Sequence, residues 1–337
     1  MLKNIIHFLL ILALVSCKRD RLNISVDALE HSLEVQRLDL QLADAKNPQE
    51  IQAVHDKFGK NHLEFYNFYL GACLQVGLYE DSVTLEALQQ FTQDTFIVKL
   101  HREIKQEFAD FESYREQFQQ GLAYLHHHFP KAILPEHIIL YNSLFSNSVV
   151  SSENTIGVGI ERYLGAENKA IEQLPDDPFY PYIKRRMDRQ FLVRDMMMSW
   201  LGSNVLPQIN DDAELADVMT QWGKHFYALE ACFPEMDKHL IIRYFSEEMD
   251  WAMENEREFW DYLVAQNSLF KRDYKMALNI FSDGPFTSGL PISDTAPPRL
   301  GQFLGWRIVK KYMDKNPKIT LEELMKTDFK TILRAYN

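Results

Sequence analysis

The sequence is poor in the features that announce chemistry. Cysteine occurs three times, at Cys17, Cys73 and Cys232, and no two share a metal-site spacing, so cysteine supplies no zinc ribbon, while an exported chain permits a disulfide between Cys73 and Cys232 that sequence alone leaves open. No His-Glu-x-x-His is present, which removes the arrangement that puts two zinc-binding imidazoles and a general base on one helical face. No Gly-x-Ser-x-Gly marks a nucleophile elbow. Gly157-x-Gly159 lacks the third glycine and the following helix of a dinucleotide loop. Positive charge is also scarce. With 36 Lys and Arg against 48 Asp and Glu the net charge is −12, and such a field repels phosphate backbones, so nucleic acid is not an expected partner. Repeats and low-complexity tracts are missing too. A composition of 46% apolar and 25% charged residues is that of a folded chain with a substantial core.

What is there begins at the amino terminus. Lys3 precedes an apolar run over residues 5–15 that only His7 interrupts. At about 1.5 Å per residue the run covers roughly half of a ~30 Å hydrocarbon core, too short for a spanning helix and suited to a signal peptide. It ends in Leu14-Val15-Ser16-Cys17, which resembles a bacterial lipobox, where the thiol takes a diacylglyceryl group and becomes the first residue after cleavage, with palmitate expected among its two or three acyl chains. The expected organisation is a signal peptide over residues 1–16, a lipidated Cys17 with a short tether to residue 32, and one domain over residues 33–337.

Residues 33–40 alternate apolar and polar side chains, the pattern of a half-buried strand. Phe111, Tyr114, Phe118, Leu122, Leu125 and Phe129 then recur at three- and four-residue steps, predicting an amphipathic helix that Pro130 ends. Short strands are expected at residues 138–141, 148–150 and 155–160. Beyond Pro178 the pattern is helical, with Leu215, Val218, Met219, Trp222, Phe226 and Leu229 on one face. A further helix is expected over residues 246–266 with Ser246 as its cap, and a last one over residues 299–314 after a loop at 283–298 rich in Gly, Pro, Ser and Thr. The fold class is therefore α+β and predominantly α-helical, with a small mixed or antiparallel sheet embedded in helices.

Among candidate groups, His126-His127-His128 are consecutive and cannot share a helical face, so they read as a charged helix end that favours the dipole. Lys184-Arg185-Arg186 with Arg189 and Arg194 read as the solvated face of a helix, an anion site being the alternative. Cys73 and Cys232, each in apolar surroundings, read as buried free thiols. Gly301 and Gly305 form a small-residue stripe whose expected use is packing, with a groove beside Trp306 as the alternative. Trp251, Glu256, Trp260 and Arg299 complete a candidate interaction surface with these three. No metal ligands, catalytic residues or cofactor are expected.

Taken in order, the lipobox, Glu161-Arg162-Tyr163-Leu164-Gly165, Pro181-Tyr182, Trp251-Ala252-Met253-Glu254-Asn255-Glu256 with Trp260, and Pro298-Arg299-Leu300-Gly301-Gln302-Phe303-Leu304-Gly305-Trp306 with Tyr312 resemble the gliding-motility lipoprotein GldB family of Bacteroidetes. The resemblance implies a component of the gliding machinery, and of the protein secretion linked to it, held by lipid in the cell membrane or outer membrane. Its partners would be other envelope proteins, and it would act by binding rather than as an enzyme. The basic Lys18-Arg19-Asp20-Arg21 after the cysteine favours the periplasmic side over the cell exterior for this group. The Tyr163-Leu164-Gly165 element and the Gly-rich last helix are also similar to a set of predicted zinc proteases, which implies a degenerate zincin-like arrangement: Asp195-Met196-Met197-Met198-Ser199-Trp200 stands where those proteins carry their histidines. The alternative function is accordingly a zincin-like hydrolase with unconventional ligands, or a binder of a small ligand between Trp251, Trp260 and Trp306.

Overall fold

The computed structural model describes residues 21–284 and 295–336. Cys17 and most of the loop before Arg299 lie outside them. Four short strands form a mixed sheet in the order β1-β2-β4-β3: β1 Glu34–Arg37, β2 His137–Tyr141, β3 Val149–Ser151 and β4 Thr155–Gly159. β1 and β4 flank β2 in parallel, with Val35 opposite Ile138 and Ile139 opposite Gly157, and β3 returns antiparallel along β4. The three strands expected between residues 138 and 160 are all present.

Because side chains alternate across a sheet, β2 serves two cores at once. Ile138 and Leu140 enter the main core with Ile156 and Val158 of β4. Ile139 and Tyr141 enter a smaller one on the opposite face, built by the helices α1 Leu38–Asp44, α2 Pro48–Asn61, α3 Leu63–Phe68, which runs on as a wider turn, and α4 Thr84–Gln93. Gly157 faces that smaller core, where Phe65 occupies the space a Cβ would need and meets the Tyr141 ring edge-on at 5.2 Å. The main core is covered by α5 Thr95–Glu107, α6 Glu112–His128, α7 Leu192–Trp200, α8 Leu215–Cys232, α9 Ser246–Glu254, α10 Glu256–Ala265, α11 Tyr274–Phe281 and α12 Leu300–Lys315. The two predicted apolar stripes are α6 and α8, with Phe118, Leu122, Leu125, Met219 and Leu229 fully buried.

Three expectations change. The strand over residues 33–40 stops at Arg37, because Arg37 donates to both oxygens of Asp39 and to the Phe108 carbonyl, while Leu38 and Leu42 bury at helical spacing. The helix over 246–266 breaks at Asn255. There Asn255 leaves helical geometry (φ −104°, ψ 9°) while its backbone N–H and its side-chain amide both donate to the Trp251 carbonyl (3.0 and 2.8 Å), which caps the first helix, and Ser246 lies in the first turn rather than at the cap. Finally, helical structure resumes after α12 in Leu321–Lys326 and Phe329–Leu333, capped by Thr320 and Asp328. These short turns bring Tyr336 edge-on against Trp260 at 4.9 Å.

Two carboxylates lie fully inside the core, each held by identifiable donors. Glu161, fully buried after β4, accepts hydrogen bonds from the Ser143 backbone (3.0 Å) and hydroxyl and from the Phe145 backbone (2.8 Å). It thereby fixes a loop in which Leu144 and Phe145 adopt positive φ. Glu230, equally buried on α8, accepts from Trp306 Nε1 and Lys310 Nζ, both at 2.7 Å. Cys73 and Cys232 are free, buried thiols in separate cores. Among the described residues no helix is long and apolar enough to cross a membrane.

Candidate functional site

Among the described residues the most unusual chemistry is a set of buried and half-buried arginines beside α9, assembled from five places in the sequence. β4 ends in a tight turn, Ile160–Tyr163, that delivers Arg162 and Tyr163. The first turn of α7 carries Arg194 and Asp195. Arg186 follows the short helix Pro181–Arg185, and Arg243 and Arg299 stand at positive φ (62° and 59°), a conformation that costs a non-glycine residue on the order of 1 kcal/mol or more.

Asp195 is the hub. It accepts from Tyr163 Oη (3.0 Å), Arg194 Nη1 (2.7 Å) and Arg243 Nε (3.0 Å). Burial by itself would raise its pKa, but Arg243 and Arg194 reverse the sign and hold the carboxyl below its ordinary value. Arg186 and Arg243 clamp each other's backbone, Arg186 Nη1 donating to the Arg243 carbonyl (2.8 Å) and Arg243 Nη2 to that of Arg186 (3.1 Å). Arg186 also pairs with Glu248 (2.6 Å), and Arg299 with Asp283 (2.9 Å). Burial, with Arg299 close by, pushes the Arg186 guanidinium down to about 10. Arg162 donates to the Phe145 carbonyl, forms no ion pair among the described residues, and its buried Nε has no hydrogen-bond partner there.

The expectation that Lys184-Arg185-Arg186, Arg189 and Arg194 form one solvated face is therefore corrected. Arg186 and Arg194 are 6% and 4% exposed, while Arg185 and Arg189 remain outside and pair with Glu247 and Glu107. The histidine run is corrected as well. His126 and His127 are exposed at the end of α6, but His128 is partly buried, and burial beside His127 and Arg21 pushes it down to about 4, so it stands neutral rather than charged.

Removing the charge at the hub leaves two guanidiniums facing each other without a counter-ion. Asp195→Asn is accordingly expected to lower the unfolding free energy by about 3–5 kcal/mol, read from denaturant midpoints at pH 7. A loss under about 1 kcal/mol would show that Asp195 does not hold the cluster together.

The seven residues expected as an interaction surface separate into two groups. Trp260, Arg299, Gly301, Gly305 and Trp306 are buried. Gly305 meets the backbone of Met219 and Gly223 on α8, and Gly301 sits under Phe281 and Ile280 of α11. Trp251 and Glu256 are half-buried. Glu256 accepts from Arg307 Nε (2.6 Å) and Tyr336 Oη (2.7 Å), and Trp251 lines an open groove of about 400 Å³ with Tyr182, Arg185, Glu247, Pro297 and Pro298. Trp251, Trp260 and Trp306 do not share a pocket among those of the described residues. No group of three or more His, Cys, Asp or Glu among the described residues could hold a metal ion.

Arg243 and Asp283 were not legible as functional candidates. The available signal was an isolated arginine inside an apolar run, Ile241-Ile242-Arg243-Tyr244, matched by Leu192-Val193-Arg194. Comparison with curated proteins and with solved structures gives no match. A family model described as gliding motility protein GldB matches residues 19–337, nearly the whole chain, and the protein belongs to that family.

Proposed function

We propose that the protein is a lipid-anchored component of the gliding machinery that works by binding other envelope proteins rather than by catalysis. The observation that carries this reading is the lipobox-like Leu14-Val15-Ser16-Cys17 preceding a body that belongs to a gliding-motility family. Acyl chains on Cys17 hold the body at the cell membrane or outer membrane, on its periplasmic side. Each buried CH₂ contributes about 0.8 kcal/mol, so two or three chains make the attachment effectively permanent. The tethered body then meets partners by diffusion in two dimensions, and those partners belong to the gliding apparatus or to the secretion system associated with it.

The docking surface we assign is the groove beneath Trp251. Its Tyr182, Trp251, Pro297 and Pro298 offer rigid apolar area, and the exposed Arg185–Glu247 pair rims it with charge, the composition of an interface centre and its border. Gly301 and Gly305 lie outside this surface, packed against α11 and α8. Trp251→Glu is expected to fold, because the residue is only half-buried, and to abolish gliding at an unchanged protein level. Normal spreading of cells carrying it would remove the groove from the account. Stoichiometric zinc in the purified wild-type protein would instead favour the hydrolase reading.

A further inference from the structure

Beside this groove, and sharing Tyr182 and Arg186 with it, lies a small pocket of about 50 Å³ lined by Arg162, Tyr182, Ile183, Arg186, Arg243 and Asp283. The space holds a few waters, or a single phosphoryl or carboxylate group. Around it the described residues bring together five guanidiniums, Arg162, Arg186, Arg194, Arg243 and Arg299, and three paired carboxylates, Asp195, Asp283 and Glu248. Glu161 is a fourth acid in range of Arg162. It makes no ion pair with it, its hydrogen bonds run to the Ser143 and Phe145 loop, and burial favours its neutral form. Positive charge is in excess whether Glu161 is counted or not.

Such an excess is costly inside a protein, and arginine cannot relieve it by losing its proton under physiological conditions. Backbone carbonyls accept from these arginines without cancelling their charge, and a bound anion would cancel it. Three of the five arginines line the pocket, and Arg162 brings to it a guanidinium with no carboxylate partner among the described residues. The planar fork of a guanidinium matches two oxygens of a carboxylate or phosphate, which a chloride ion cannot offer.

We propose that this pocket binds one oxyanion, a phosphoryl or carboxylate group, gripped by Arg162, Arg186 and Arg243, with the remainder of the ligand lying in the groove beneath Trp251. Asp283, turned to Arg299, sets the boundary of the site on the side of the loop. The site is independent of the lipid anchor, and because its ligand extends into the groove assigned to the protein partner, the two would compete for that groove.

The test uses the full-length, detergent-solubilised protein. Its melting temperature is followed during titration with sodium phosphate, sodium acetate and sodium chloride at matched ionic strength and pH 7.5. A saturable rise with phosphate or acetate and none with chloride is expected, and the tighter of the two identifies the ligand group. Arg162→Gln should weaken that binding by about tenfold or more, since it removes a charge-assisted contact, and Arg162→Lys should restore part of it. Arg257→Gln, on the exposed side of α10, should change nothing. Equal responses to all three salts, or an Arg162→Gln protein that saturates like the wild type, would overturn the proposal. Should Arg162→Gln fail to fold, the chloride comparison and Arg162→Lys decide the matter alone.

Discussion

Gly305→Ala lowers the unfolding free energy by at least about 3 kcal/mol, the upper end of the overpacking range, because the obstacle is backbone. A Cβ on Gly305 would fall far inside contact distance of the Met219 carbonyl oxygen, and one on Gly223 would strike the Gly305 carbonyl in return. α8 and α12 touch main chain to main chain at this point, so no rotamer change makes room. Separating them would also pull Trp306 Nε1 and Lys310 away from Glu230, leaving a buried carboxylate short of partners. Urea melts followed by circular dichroism measure the effect. Gly202→Ala is the control, since a Cβ there meets nothing within 4 Å. Equal midpoints for the two variants would mean that the helices have slack at the crossing.

Mild acid destabilises the protein well before its surface carboxylates titrate. Burial lowers the pKa of His55, His62, His101, His128 and His225 below the ordinary 6.5. A histidine depressed in the folded state is protonated first in the unfolded chain, so its contribution is intact above pH 6.5 and is lost as the pH falls toward the folded value. For His128 that window runs from 6.5 down to about 4. At pH 5 this one residue accounts for no more than about 2 kcal/mol, discounted for its partial exposure, and the other four add in the same direction. Glu161 acts oppositely, because burial raises its pKa and acid favours its folded form. Asp195 and Asp283, both held below 3.8, withdraw their stabilisation only at still lower pH, as the pH falls through their folded values. Denaturant midpoints between pH 7.5 and 5 should therefore fall steeply, and His128→Phe should flatten the curve. A flat wild-type profile would mean that these imidazoles reach water.

The parts of the fold legible in the sequence were those set by local periodicity. The stripe from Phe111 to Phe129 and the run from Leu215 to Leu229 specify α6 and α8 because one helical face of each is continuous and apolar. The strands at 137–159 were legible for a related reason, short β-branched runs cut by Ser, Asn and Glu. The spacing of Gly301 and Gly305 announced close packing, although it could not show that they face different helices.

Events decided by one side chain's tertiary partner escaped. Arg37 chooses Asp39 and the Phe108 carbonyl and so ends β1; Asn255 caps a helix by giving its side-chain amide as well as its backbone N–H to the Trp251 carbonyl. The arginine cluster escaped for the strongest form of this reason. Five arginines from segments spread over residues 162–299 come together only in the fold, which buries Arg186, Arg194 and Arg299 and half-buries Arg162 and Arg243, and burial of a charge is a property of its neighbours rather than of its own segment. Family resemblance marked Arg162 within its motif without a role, and Arg299 was expected on an interaction surface rather than among buried charges.

The claim that organises these features is that a folded body acts beside a membrane because lipid on Cys17 holds it there. The direct measurement compares wild-type and Cys17→Ala cells by fractionation, acyl labelling and surface spreading. The account predicts labelled wild-type protein in the membrane pellet, an unlabelled and soluble Cys17→Ala protein, and loss of gliding with that release. A Cys17→Ala protein that stays in the pellet, or cells that glide normally with it in the soluble fraction, would contradict the claim.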